Sequence, residues 1–205
     1  MNKLQRRVLE ISYKQHKPHI GCSLTAVNIL DDIYKRKKRN EPLIISNGHV
    51  CLAYCVVLEK YEGKDAEKLC RKYGTHPRRN LKDFMWCTTG SLGHGLPIAL
   101  GMALANRKHK VYVLTSDGEM AEGSMWEASR VAGEYKLDNL KIIMDANGHG
   151  AYSWIDADTL ERRMNEFFPV KVIRTNLDDF PSYLQGIVGR YTILSKKQYE
   201  ELSKD

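Results

Sequence analysis

The sequence predicts an α/β fold, a three-layer sandwich of helices around a mostly parallel sheet, and three observations predict it. Short apolar runs at Leu43–Ile45, 111–115, 141–146 and Val170–Arg174 each read as a strand. The segments between them carry apolar residues at helical spacing or long polar stretches, the alternation that gives parallel sheets. No internal repeat, low-complexity tract or proline-rich linker interrupts the 205 residues. That length suits one α/β domain with a good core, so residues 1–205 are expected to form a single domain.

Leu4, Val8 and Ile11 recur at helical spacing in a first helix, Lys3–Gln15, and a second helix covers 23–37. The strand Leu43–Ile45 leads through Ser46-Asn47-Gly48-His49 into a helix over 48–60. The small-residue stretch TTGSLGHGLPIALGMALA puts Gly90, Gly93, Gly95 and Gly101 before and within a helix that allows close backbone approach. Strand 111–115 then feeds a turn and a helix over 120–134, and strand 141–146 ends at Asn147. A helix, the strand Val170–Arg174, a helix near 178–186 and a last strand at 191–194 complete the sheet.

Composition bounds the setting. The net charge is +7, with much of the excess in Lys35 to Arg39. No aromatic platform or recognition motif accompanies that cluster, so it reads as a solvated loop or an anion-attracting patch and no nucleic-acid partner is expected. No apolar run reaches the eighteen or so residues of a membrane span, and MNKLQRR lacks an adjacent apolar signal core, so no membrane partner and a cytoplasmic location are expected. Five cysteines with no CxxC pair favour a reducing compartment. Cys51 and Cys55, one helical turn apart, read either as zinc ligands or as small packed hydrophobes.

The chemistry gathers at strand ends. Asp117, Gly118 and Glu119 follow one apolar run, and Asn147 closes the next, 30 residues after Asp117. Ligands of open α/β sheets sit beyond the carboxyl ends of strands, so a carboxylate and an amide on two such ends can meet. Mg²⁺ is commonly held by one or two protein oxygens together with ligand phosphates, so the pair suits a metal-bound diphosphate. Asp-Gly and Asn-Gly are also ordinary turn pairs. A helix start after Asp117 would add backbone donors for an anion.

The stretch SDGEMAEGSMWEASRVAGEYKLDNLKIIMDANG resembles the thiamine-diphosphate motif of the transketolase family, which opens with Asp-Gly and closes with Asn about thirty residues later. The resemblance implies that Asp117, the Asn147 side chain and the carbonyl of His149 hold Mg²⁺ or Ca²⁺ on the cofactor diphosphate. Gly118 would let the main chain come close to it, with Glu119 beside it in the cofactor-binding segment. KPHIG resembles the family segment with a histidine near the thiazolium ring, which makes His19 the catalytic candidate; read alone, it is a turn or helix-start residue after Pro18. SNGH resembles the motif whose histidine touches the diphosphate, which assigns His49; otherwise it is a residue near a helix cap. The glycine-rich block resembles the loop whose leucine carbonyl holds the aminopyrimidine, which assigns Gly90 and Leu92. His94 stands where the family often has glutamine, and a helix-cap reading competes there. Glu122 falls where a glutamate couples to the partner's catalytic glutamate, although a glutamate in a first helical turn is also favoured by the dipole alone.

Transketolases also need a pyrimidine-binding domain, for which 205 residues leave no room. The chain therefore resembles the amino-terminal subunit of a split enzyme, a hetero-oligomer inactive until its carboxy-terminal pyrimidine-domain partner joins. The implied reaction is transfer of a two-carbon ketol unit between sugars or sugar phosphates. The family's Gly- and Lys-rich loop ending in Trp-His has no counterpart in the tail, which leaves the sugar open. It also keeps two other readings in play: a non-catalytic transketolase-like scaffold and, from charge, a nucleotide- or nucleic-acid-binding domain.

Overall fold

The computed structural model describes residues 1–150 and 154–203. Its helices are α1 (Lys3–Gln15), α2 (Ile20–Arg36), α3 (Cys51–Glu62), α4 (Ala66–Tyr73), α5 (Gly95–Ala105), α6 (Gly123–Glu134), α7 (Ala157–Asn165), α8 (Gly186–Tyr191) and α9 (Lys196–Ser203). Its strands are β1 (Leu43–Ile45), β2 (Val111–Ser116), β3 (Leu140–Ala146) and β4 (Val170–Arg174). The expected α/β class with a parallel sheet is borne out. The chain divides into two compact units: residues 1–35, 49–77 and 176–205, and residues 36–48 and 78–175.

The second unit carries the sheet, four parallel strands in the order β1-β2-β3-β4. Val113 and Ile142 pair at its centre, and Ser116 stands opposite Asp145 where β2 ends. Residues 111–115 are buried without alternation, as continuous apolar strands of parallel sheets are. The core joins Leu96, Val113, Met125, Ala132, Ile142 and Met164, with residues from α5, α6, α7 and the strands. Small residues matter in α5 at Gly95, where a Cβ would lie 2.5 Å from the Cα of Ser46. Gly101 has open space around it. Gly133 allows the backbone of Phe167 to approach, since a Cβ there would meet its carbonyl oxygen at 2.2 Å.

The first unit is helical. Asn2 caps α1, its side chain accepting from the backbone of Leu4 and Gln5 while Gln5 returns a bond to the Asn2 N–H. Val8, Leu9 and Ile11 give α1 its buried face. The Arg7 guanidinium holds Glu59 through two bonds of 2.9 and 3.1 Å and joins α1 to α3. Cys51, Cys55 and Cys70 are buried, and bonding to the other two sulfurs pushes the Cys55 thiol well above its usual range. They pack as small hydrophobes. Among the described residues no group of three His, Cys, Asp or Glu side chains could hold a metal, and no helix is long and apolar enough to cross a membrane.

The structure corrects several boundaries. The helix expected over 120–134 starts at Gly123, because Asp117–Ala121 forms a 3₁₀ turn that Glu122 ends with extended backbone (ψ 127°). The helix expected over 23–37 begins earlier, at Ile20, and that over 48–60 opens with a 3₁₀ turn at Gly48–Val50. The tail differs most. Instead of a helix near 178–186, Ser182–Leu184 makes a 3₁₀ turn after Pro181, and α8 starts at Gly186, whose φ of 54° breaks continuity. The strand expected at 191–194 is absent among the described residues. Tyr191 ends α8, and the Thr192 hydroxyl donates to the carbonyls of Tyr183 and Val188, closing a helix end and not a ladder.

Candidate functional site

The second unit holds the strand-tip residues. Asp117 follows the end of β2, and its Oδ1 accepts the Gly118 N–H at 2.8 Å while its Oδ2 accepts the Gly148 N–H at 2.7 Å. The expected meeting of the two tips therefore occurs, through the carboxylate of one and the backbone of the other. Burial raises the Asp117 carboxyl above its ordinary value, opposed by bonds from the Gly148, Gly118 and Asn147 backbone. Asn147 follows β3, and its Oδ1 accepts the His149 N–H at 3.0 Å, an Asx turn that aims the amide oxygen. The His149 ring is exposed, with Nδ1 2.8 Å from the Asn147 carbonyl oxygen. Its backbone pairs with Trp154.

Glu122 lies outside the helix expected to hold it, and Glu119 stands in the 3₁₀ turn before it. Glu119 is fully buried in the 3₁₀ turn, where its Oε1 accepts from Ser46 Oγ at 2.8 Å and from the Gly93 N–H at 3.1 Å. Burial pushes its carboxyl up to about 7. Glu122 is the residue before α6, with its backbone carbonyl accepting from Met125 at 3.1 Å. Gly90 (φ 143°) and Gly93 (φ 81°) give the loop around Leu92 conformations open to glycine. A Cβ on Gly48 would stand 2.9 Å from the Gly90 nitrogen, so that approach too needs glycine. His94 precedes α5 and is exposed, and its side chain makes no cap bond.

His19 and His49 lie in the first unit, their ring centroids 5.3 Å apart. His19 takes the left-handed φ of 59°, rare for a residue with a side chain, just before α2. Its N–H donates to the Arg190 carbonyl at 2.9 Å, and Tyr191 lies 6.3 Å from its ring. Burial, then the charges of His76 and Arg190, lower the His19 pKa below its usual value. Burial, then His19, Arg190 and His76, bring His49 down to about 3. Both imidazoles are therefore neutral near pH 7.

Sequence reasoning assigned no role to Ser46, Asn47, Ser124 or His76. Ser46 and Asn47 stand inside the SNGH motif, and the Gly-Thr-His-Pro turn around His76 is the remaining signal. Two observations bear on whether an anionic cofactor fits. Asn47 Oδ1 and His19 Nδ1 are buried with no hydrogen-bond partner, and such atoms are uncommon unless a ligand or water completes them. The donors at the tips of β2 and β3 are hard oxygens, the type that Mg²⁺ takes. The residues present fit the group.

Comparisons with known proteins agree. The family model described as transketolase, thiamine diphosphate binding domain, matches residues 5–167. One of the subunits of an apulose-4-phosphate transketolase from Actinobacillus succinogenes is 40% identical over 149 residues, covering 63% of this chain and 54% of that protein. The protein of the same name from Phocaeicola vulgatus is 33% identical over 165 residues, covering 71% of this chain and 58% of that one. The chain thus spans little more than half the length of these relatives. The crystal structure of transketolase from Campylobacter jejuni superposes with a TM-score of 0.69 at 20% identity, covering 100% of this chain and 43% of that chain, a likeness of fold.

Proposed function

We propose, on the premise that this chain belongs to the transketolase thiamine diphosphate binding domain family, that it is the diphosphate-binding, amino-terminal subunit of a two-chain transketolase. Its residues 1–205 act as one such domain, and catalysis needs a pyrimidine-domain partner. The relatives named as single subunits of a transketolase support a partner, and the substrate in their names supports a phosphorylated sugar. The five cysteines, in no disulfide, support a cytoplasmic setting.

One observation carries the reading: the Asp117 carboxylate bonded to the Gly148 N–H, which joins the motif's two ends at neighbouring strand tips. Thiamine diphosphate, when bound, supplies the electron sink that lets a two-carbon ketol unit pass between sugars. In the second unit, Asp117, the Asn147 amide oxygen and the His149 carbonyl are the residues that would hold Mg²⁺ or Ca²⁺ on the diphosphate. Gly118 keeps space for close approach, and the carbonyl of Leu92 serves as an acceptor beside Gly90. In the first unit, His49 stays neutral and donates a hydrogen bond to an anion. His19, also neutral, takes and returns a proton at a sugar hydroxyl near pH 7. Glu122, just before α6, couples to a carboxyl of the partner.

The test is co-expression with a transketolase-like pyrimidine-domain chain and an assay of ketol transfer from a ketose phosphate. Turnover is expected only in the mixture, and removal of divalent metal abolishes it. Turnover by this chain alone, indifference to chelation, or failure of the two chains to associate overturns the proposal.

A further inference from the structure

Glu119 remains when the diphosphate seat has been assigned, and it is an ionisable side chain with no solvent exposure. Burying a carboxylate is costly unless several donors face it. Three do: Ser46 Oγ at 2.8 Å and the Gly93 N–H at 3.1 Å on Oε1, and the Ser116 N–H at 3.3 Å on Oε2. These donors come from the end of β1, the glycine-rich loop and the end of β2. One carboxylate therefore ties three separate stretches of the second unit.

The bond to Gly93 has a directional effect. The Gly93 N–H and the Leu92 carbonyl belong to one peptide plane, and no cis peptide occurs among the described residues. In a trans peptide the two groups point in opposite directions. Anchoring the N–H on Glu119 thus turns the Leu92 carbonyl away from Glu119. The following peptide is held as well, because Ser124 Oγ donates to the Gly93 carbonyl at 2.9 Å. Gly93 admits no larger residue: its φ is 81°, and a Cβ would stand 2.6 Å from Ser124 Oγ and 2.7 Å from Glu122 Cβ.

We propose that Glu119 is a positioning residue whose carboxylate clamps the Leu92–Gly93 peptide to the ends of β1 and β2, and so aims the Leu92 carbonyl as a fixed acceptor for an N–H group on the ring end of the cofactor. The role assigned to the acceptor rests on the reading that this chain binds thiamine diphosphate; the clamp itself is a property of the protein alone. The resemblance places Glu119 in the cofactor-binding segment. Its two oxygens instead face donors of the protein, and its influence on the ligand passes through Leu92.

Glu119→Gln tests this, because the amide nitrogen brings a second donor against a donor already present, either at Ser116 or at Gly93. Ser46→Ala is the milder variant, removing one arm without a donor clash. Hydrogen exchange of the Gly93 amide in ligand-free protein is expected to speed up by about tenfold or more in Glu119→Gln, and by about threefold in Ser46→Ala. The Kd for thiamine diphosphate with Mg²⁺ should rise about ten- to a hundredfold in Glu119→Gln, while that for Mg²⁺-pyrophosphate, which lacks the rings, stays within about threefold. Equal loss of both ligands would place Glu119 in the diphosphate seat and overturn the proposal. Unchanged Gly93 exchange in both variants would overturn it too. If the unaltered protein binds neither ligand, the cofactor reading fails, and Gly93 exchange alone judges the clamp. If Glu119→Gln does not fold, Ser46→Ala decides by the same readings.

Discussion

At the strand tips both oxygens of Asp117 and both of Glu119 already accept hydrogens from the protein, whereas in the histidine cluster the buried Nδ1 of His19 has no partner. The tips are preformed: backbone N–H groups fix the carboxylates in place before any ligand arrives. Such preorganisation suits an anchor, which gains affinity by having little left to order. The histidines are held differently, by burial that keeps them neutral and by a left-handed backbone at His19. Strain and an unpaired polar atom together are the marks of a working position. The contrast fits the proposed division, in which one region anchors and the other transfers a proton.

The largest effect that separates these roles is expected at His19. In the two-chain enzyme, His19→Ala should lower turnover by about a hundredfold to ten-thousandfold, the range of general acid–base catalysis. Cofactor affinity, measured by calorimetry, should move less than about threefold. A parallel loss of affinity would make His19 an anchor and break the division.

A second effect concerns pH. His49 titrates at about 3 in the folded protein against an ordinary 6.5, so acid favours the unfolded chain, which takes up the proton first. Its contribution is full above pH 6.5 and is lost as pH falls from there toward 3, on the order of a few kcal/mol. Urea unfolding at pH 7.5, 6 and 5 should show stability declining with acid, and His49→Gln should flatten that slope. An unchanged slope in the variant would show that His49 is not held neutral by its surroundings.

Gly93→Ala comes third. The positive φ and the close atoms around its Cβ position predict a loss of about 1 to 3 kcal/mol in chemical denaturation. Gly101→Ala, in open space within α5, should instead be neutral or slightly stabilising. Equal costs at the two positions would mean that the loop is less constrained than its contacts indicate.

Much of the tip region was legible because its determinants are local. Largely apolar runs specify buried parallel strands, and Asp117 and Asn147 sit directly at their ends. Glu119 was not legible in the same way. Its partners are Ser46, 73 residues away, and Gly93, 26 residues away, and only the fold brings those donors to it. The left-handed backbone of His19 was hidden because nothing in Pro18-His19-Ile20 requires it. His76 lies outside the family-like motifs, and its effect on the two histidines passes through space. The tail misled for a different reason. Tyr191-Thr192-Ile193 has the composition of a strand, but with Gly186 and Gly189 before it the chain coils. Gly189 sits so close to the Leu184 carbonyl, 2.1 Å from where a Cβ would be, that only glycine permits the turn of α8.

The central claim is that Asp117 anchors a divalent cation and, through it, a diphosphate. Calorimetric titration of the protein with thiamine diphosphate, with and without Mg²⁺, in the unaltered chain and in Asp117→Ala, tests it most directly. Binding should require Mg²⁺ in the unaltered chain and weaken about a hundredfold or more in the variant. Equal affinity in the two proteins, or binding that ignores the metal, would contradict it.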